Sequence, residues 1–186
     1  MRRNLVSVLG ALVFCGIASN VQAVPVSADV WYEFGFGGPG SESFTCLLGG
    51  CLPSTGTPTT FVGDPPYTYT APADGAFLVV TDAFQVGDAF LVFDFGIGLG
   101  ATSPWTVALP FNCGDDPVPC LGVASSGSFF LPGGDHEIRI VAGLSPFGGG
   151  AAYFTIAEVA APVPEPATLA LLGAGLAGIR TLRRRK

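Results

Sequence analysis

The chain has 186 residues, enough for one domain of ordinary size with short terminal segments and too few for two. Its net charge of −6 conceals a segregation: seven of the eight basic residues lie at the two ends, while the segment 24–162 holds thirteen carboxylates, one arginine, no lysine and one histidine, a net −12. Such a field repels phosphate backbones, which excludes nucleic acid as a partner, and it suits a solvated exterior.

The first segment reads as an address. Met1-Arg2-Arg3-Asn4 is a positive n-region, and Leu5 to Ala18 is an apolar run of fourteen residues. Val21-Gln22-Ala23 supplies small or medium residues at −3 and −1, so a signal peptide over 1–23 is expected, cleaved between Ala23 and Val24. Cys15 follows the bulky Phe14, and acylation there would halve the apolar run, so a lipoprotein is rejected.

From Val24 to Pro162 the apolar segments are short and repeatedly punctuated. Strands are expected over Asp29–Phe36, Thr59–Val62, Tyr67–Ala71, Gly75–Asp82, Ala89–Phe95, Ile97–Thr102, Gly127–Leu131, His136–Ala142 and Ala151–Val159. Turn signals separate them: Asp64-Pro65-Pro66, Gly87-Asp88, Gly96, Pro132-Gly133-Gly134-Asp135 and the connection Gly148-Gly149-Gly150, read as flexible. Eight or nine strands at spacings near ten residues predict an all-β sandwich or jelly roll. In Ala89–Phe95 both alternating sets are apolar, which predicts a central strand covered on both faces. In His136–Ala142, Ile138, Ile140 and Ala142 alternate with Glu137 and Arg139, which predicts one wet face, with His136 at an exposed rim.

Four cysteines follow the signal segment: Cys46, Cys51, Cys113 and Cys120. An even number in an exported chain implies disulfides, with three possible connectivities; the local pairs Cys46–Cys51 and Cys113–Cys120 are favoured. Without a C-x-x-C or a second histidine, zinc is improbable.

The last segment is a second address. Val163-Pro164-Glu165-Pro166 precedes an uncharged run from Ala167 to Ile179, then Arg180, Arg183, Arg184, Arg185 and Lys186. Thirteen residues span only about 20 Å as a helix, but Val163 to Leu182 gives twenty, with Arg180 free to snorkel. The basic stop should stay cytoplasmic, which puts the acidic segment outside. Gly173, Gly175 and Gly178 narrow the helix where another could approach. The Val-Pro-Glu-Pro motif, the Ala167–Gly173 run and the terminal arginines together resemble the PEP-CTERM sorting signal of Gram-negative bacteria. The resemblance covers about the last 24 residues and implies a membrane protease of the exosortase type that recognises Pro164-Glu165-Pro166. The passenger itself resembles a domain recurrent among exported proteins with this tail. The similarity runs through Tyr67–Gly75, Val80–Phe84, Gly87-Asp88, Phe93-Asp94 and the late strand Gly134–Ile138. It implies a compact β-sandwich and no established activity.

Candidate chemistry is sparse. His136 is the only imidazole, no G-x-S-x-G elbow is present, and a triad would have to assemble from Ser125, Ser126 or Ser128 with an aspartate. Asp82, Asp88 and Asp94 recur every six residues, and Asp115 adjoins Asp116, but almost no cation is available to shape a glycosidase site. Gly35-x-Gly37-x-x-Gly40 and Gly96-x-Gly98-x-x-Ala101 match a dinucleotide fingerprint as strings, yet Pro39 and Pro104 make both turns. Calcium, held weakly by Asp82, Asp88 and Asp94, is the one cation entertained, without a D-x-D-x-D-G loop to support it.

The expectation is therefore an all-β β-sandwich or jelly-roll passenger at 24–162, between an N-terminal signal helix (1–23) and a C-terminal transmembrane helix in the sorting tail (163–186). It is read as a non-enzymatic cell-surface or exopolysaccharide-matrix component with no cofactor. The partners implied are the secretion machinery, an exosortase and exopolysaccharide. A glycan- or calcium-binding module is the alternative, with a secreted hydrolase third. Exposed Trp31, Trp105, Tyr67 and Tyr69 would favour glycan stacking, and buried ones a structural module.

Overall fold

The computed structural model describes residues 22–46 and 51–159. The signal run, Cys15, the sorting motif Val163–Pro166, the transmembrane helix and the basic stop lie outside these residues. Among those described, no helix is long and apolar enough to cross a membrane.

The elements in chain order are β1 (Val24–Pro25), β2 (Trp31–Phe36), β3 (Thr59–Phe61), β4 (Tyr67–Ala71), β5 (Ala76–Asp82), β6 (Ala89–Asp94), β7 (Ile97–Ala101), the single turn α1 (Pro117–Cys120), β8 (Ser126–Leu131), β9 (Gly134–Leu144) and β10 (Gly150–Glu158). They form two five-stranded sheets, ordered β1-β4-β9-β6-β7 and β3-β2-β10-β5-β8. Pairing is antiparallel except for β1 with β4 and β2 with β3. β1 starts at Val24, whose N–H donates to Pro66 O at 2.9 Å, so the expected cleavage point falls directly before the first paired residue.

Period-two alternation builds the core. Tyr32, Phe34 and Phe36 of β2, Leu78 and Val80 of β5, and Phe154 and Ile156 of β10 face Phe90 and Val92 of β6, Ile138, Ile140 and Ala142 of β9, and Tyr67. Rings meet edge to face across the sheets: Phe90 lies 5.5 Å from Phe34 at 76° and 5.0 Å from Phe36 at 84°.

The layering departs from expectation on each outer face. β6 is interior to its sheet, between β9 and β7, but only Phe90 and Val92 are buried; Leu91 is 40% exposed. An all-apolar run therefore marks one fully buried face here rather than two, because Leu91 and Phe93 on the outer side keep exposed surface. The second sheet is the one covered on its outside. There Ala83, Val86, Cys120, Ala124 and Tyr153 form a smaller cluster, with Trp31, Trp105 and Phe84 packed against it.

The cysteine loops build that cover. The structure bonds Cys46 to Cys51 and Cys113 to Cys120. Asp116 caps α1 by accepting from Val118 N at 3.1 Å, and Pro occupies its first turn. Asp115 fastens the two loops to each other, accepting from Thr55 N and Thr55 Oγ1, both at 3.0 Å. Tyr153 of β10 donates to Asp115 O at 2.8 Å, which ties the cover to the sheet.

Candidate functional site

The two ends of the sandwich differ in chemistry. At one end β5 stops at Asp82 and the chain crosses to the other sheet, beginning β6 at Ala89. Asp82 organises that crossing. Its Oδ1 accepts from Ala83 N at 2.8 Å and its Oδ2 from Gly87 N and Asp88 N, both at 3.0 Å. Burial pushes the Asp82 carboxyl up to about 7, opposed by the Gly87 N–H and aided by the charge of Asp88. Phe84 within this turn has φ 55°, a left-handed conformation costly for a bulky side chain.

Asp88 is 4% exposed and its Oδ1 has no hydrogen-bond partner. Burial raises its pKa, with the Ser145 hydroxyl opposing the rise. Asp88 lines an open cleft of about 640 Å³ whose other walls include Phe44, Leu52, Phe84, Gln85 and Phe147. Glycine makes two of these walls possible. A Cβ on Gly35 would lie 2.5 Å from Phe44 Cε2, so only glycine lets that ring lie against β2. At Gly149, φ is +128° and a Cβ would come within 2.6 Å of Phe36 O. Gly149 is thus a close-packed approach and Gly150 already pairs with Phe36 as the first residue of β10, while Gly148 before them stays open to solvent.

Asp94 lies at the far end of β6, on the order of 17 Å along the strand from Ala89. The aspartates expected to share a cation therefore do not converge: Asp82 and Asp88 meet, and Asp94 belongs to the opposite end. There it pairs with His136, whose Nδ1 is 2.8 Å from Asp94 Oδ2 and whose Nε2 is 2.7 Å from Pro132 O. Glu137 N donates to Asp94 Oδ1 at 3.0 Å. His136 is only 5% exposed, not a solvated rim residue. Alternation explains the correction, because His136 shares its parity with Ile138 and Ile140 and turns inward with them. Both ring nitrogens are engaged, by Asp94 and Pro132 O, and Ser125 bonds Thr102 Oγ1 instead, so His136 pairs with Asp94 and not with Ser125.

Glu33 gave no functional signal in the sequence, yet it is fully buried and neither carboxylate oxygen has a hydrogen-bond partner. Alternation along β2 aims it outward, away from Tyr32 and Phe34, under the cysteine cover. Burial pushes it up to about 7; the nearby Tyr153 hydroxyl opposes this and the Asp115 carboxylate adds to it. One donor atom each from Glu33, Cys46 and Cys51 fall within 4.8 Å of one another. The two sulfurs are bonded to each other, so they offer a metal no thiolate.

Tyr67 and Tyr69 are buried in the main core and Trp31 and Trp105 are half-buried against the cover. Tyr69 still reaches a polar partner, donating to Glu158 at 2.9 Å.

The described residues thus form a disulfide-fastened β-sandwich with a ligand-sized cleft at one end, and a sorting signal follows its last strand. Residues 162–186 match the family model of the PEP-CTERM protein-sorting motif, so the chain carries a PEP-CTERM sorting tail, the mark of an exported precursor targeted to exosortase. The chain matches no curated protein and no solved structure.

Proposed function

We propose that the sandwich is a non-enzymatic structural or adhesive component that exosortase delivers to the cell surface or exopolysaccharide matrix. The observation that carries this reading is the sorting motif at 162–186, directly behind a folded passenger that ends at Glu158. A signal peptide over 1–23, cut between Ala23 and Val24, would open the route and leave β1 as the start of the mature chain. The burial of Tyr67 and Tyr69 supports a structural module over one that stacks sugars on those rings. Three backbone N–H donors use most of the acceptor capacity of Asp82, which argues against calcium in this role.

The test is Glu165→Ala in a host that has the sorting enzyme. Glu165 is the sole charge between Val159 and Arg180, held between two prolines directly before the apolar run, a position that a membrane enzyme can read. The variant should accumulate as full-length, tail-bearing protein with the sandwich folded. Processing at the parental rate would refute the role assigned to this motif.

A further inference from the structure

We propose that Cys46–Cys51 is a thiol–disulfide exchange site, in which an incoming thiolate attacks Cys51 and buried Glu33 hands a proton to the departing Cys46. The reagent is a dithiol and the protein its stoichiometric partner. The assignment therefore adds to the structural reading and does not depend on how the tail is processed.

The feature that carries it is a buried carboxyl set against a disulfide. Phe44 pairs with Gly35 in an antiparallel bridge, and two residues beyond that bridge, in opposite chain directions, stand Cys46 and Glu33. One oxygen of Glu33 and both sulfurs lie within 4.8 Å of one another. Neither Glu33 oxygen has a hydrogen-bond partner, and the Tyr153 hydroxyl nearby gives its proton to Asp115 O. Tyr153 from β10 and Asp115 from the cover are the titratable groups that act on it. Burial keeps the proton on Glu33, Tyr153 opposes that and Asp115 reinforces it, so the group titrates at about 7. An apolar residue at this strand position would avoid the cost of an unpartnered carboxyl, and a proton held beside two sulfurs accounts for its presence. No carboxylate among the described residues groups in this way with Cys113 and Cys120.

The two sulfurs differ in access. Cys46 is 3% exposed, whereas Cys51 is half-buried and lines the open cleft of about 640 Å³. A thiolate entering the cleft therefore meets Cys51 first. Its sulfur bonds to Cys51 Sγ, the Cys46–Cys51 bond breaks, and the electron pair leaves on Cys46. Glu33 transfers its proton to that thiolate and remains a carboxylate until water returns one. The second thiolate of the reagent then attacks the reagent's own sulfur in the mixed disulfide. Cys51 leaves as a thiolate that water protonates, and the dithiol ends as a disulfide. Two electrons have passed to the protein.

Reduction of the folded full-length protein by dithiothreitol, quenched with iodoacetamide and mapped by mass spectrometry, gives a separate rate for each disulfide. The Cys113–Cys120 rate reports any change in opening of the fold, so the Cys46–Cys51 rate is read against it. On that scale Glu33→Gln should slow reduction of Cys46–Cys51 about tenfold at pH 6 and hardly at all at pH 8, where Glu33 has lost its proton. The effect stays below the hundredfold of a typical positioned acid because a thiolate is a fair leaving group. A slowing that is the same at both pH values, or equal for both disulfides, would overturn the proposal. If that variant does not fold, single substitutions decide. With glutathione disulfide, the Cys51 thiol of Cys46→Ser should form a mixed disulfide at least about tenfold faster than the Cys46 thiol of Cys51→Ser. Equal or reversed reactivity would overturn it as well.

Discussion

Replacing Glu33 by Gln should flatten part of the pH dependence of stability. Both Glu33 oxygens are buried without partners, and the carboxyl is pushed from 4.5 up to about 7. A rise of that size corresponds to about 3 kcal/mol against the ionised form. The sign follows from linkage. The folded protein holds this proton more tightly than the unfolded chain, so stability is fullest below about pH 4.5, falls as pH rises toward 7, and levels off beyond. This is the reverse of the usual salt-bridged carboxylate. Gln keeps the shape and removes the titration. Relative to the parent, Glu33→Gln should therefore gain up to about 3 kcal/mol between pH 4.5 and 8, whatever constant offset the amide introduces. Asp82 is also raised to about 7 and loses stability over the same range, but it does so in both proteins and cancels in the difference. Urea unfolding followed by the fluorescence of Trp31 and Trp105 at several pH values, with the disulfides kept oxidised, measures the effect. A difference between the two proteins that stays constant with pH would refute the reasoning.

His136→Ala should cost about 1–3 kcal/mol, because the ring that bridges Asp94 and Pro132 O is lost, and urea midpoints check it. Phe154→Ala, at the centre of the aromatic core against Tyr32 and Tyr67, should cost about 3–5 kcal/mol by the same assay. Non-reducing peptide mapping should find the local links Cys46–Cys51 and Cys113–Cys120, with no cross-link between the two loops. Replacing Cys113 and Cys120 together by Ser should destabilise by about 2.5 kcal/mol if chain entropy governs so short a loop, as thermal unfolding would report.

The strands were legible because punctuation is local. Pro65-Pro66, Gly87-Asp88 and Pro132-Gly133-Gly134 interrupt the chain where β4, β6 and β9 begin, and turn chemistry needs no knowledge of the partner strand. Layering was less legible, since a run such as Ala89–Phe95 looks the same whether its second face meets a loop or water. The cover over Glu33 comes from loop residues with no periodicity at all, among them Thr55, Asp115 and Cys120. That is why a buried carboxylate looked like an ordinary polar position in a strand. The aspartate spacing misled for a different reason. Six residues along an extended strand carry Asp94 to the opposite end from Asp88, so equal intervals in sequence separated these side chains rather than gathering them. The pairing of His136 with Asp94 joins residues 42 apart in sequence, and only the register of β6 against β9 brings them together.

The direction of β10 sets which end of the sandwich faces the sorting enzyme. The strand begins at Gly150 beside the cleft and ends at Glu158, about 27 Å away, where Val159 N still donates to Gly75 O. Val163 lies four residue steps beyond Val159, a reach of about 14 Å at full extension. An enzyme working on Pro164-Glu165-Pro166 would approach the end that holds His136 and Asp94, the length of β10 away from the Asp82–Asp88 turn, so a cut there would leave that turn and the crossing it organises untouched.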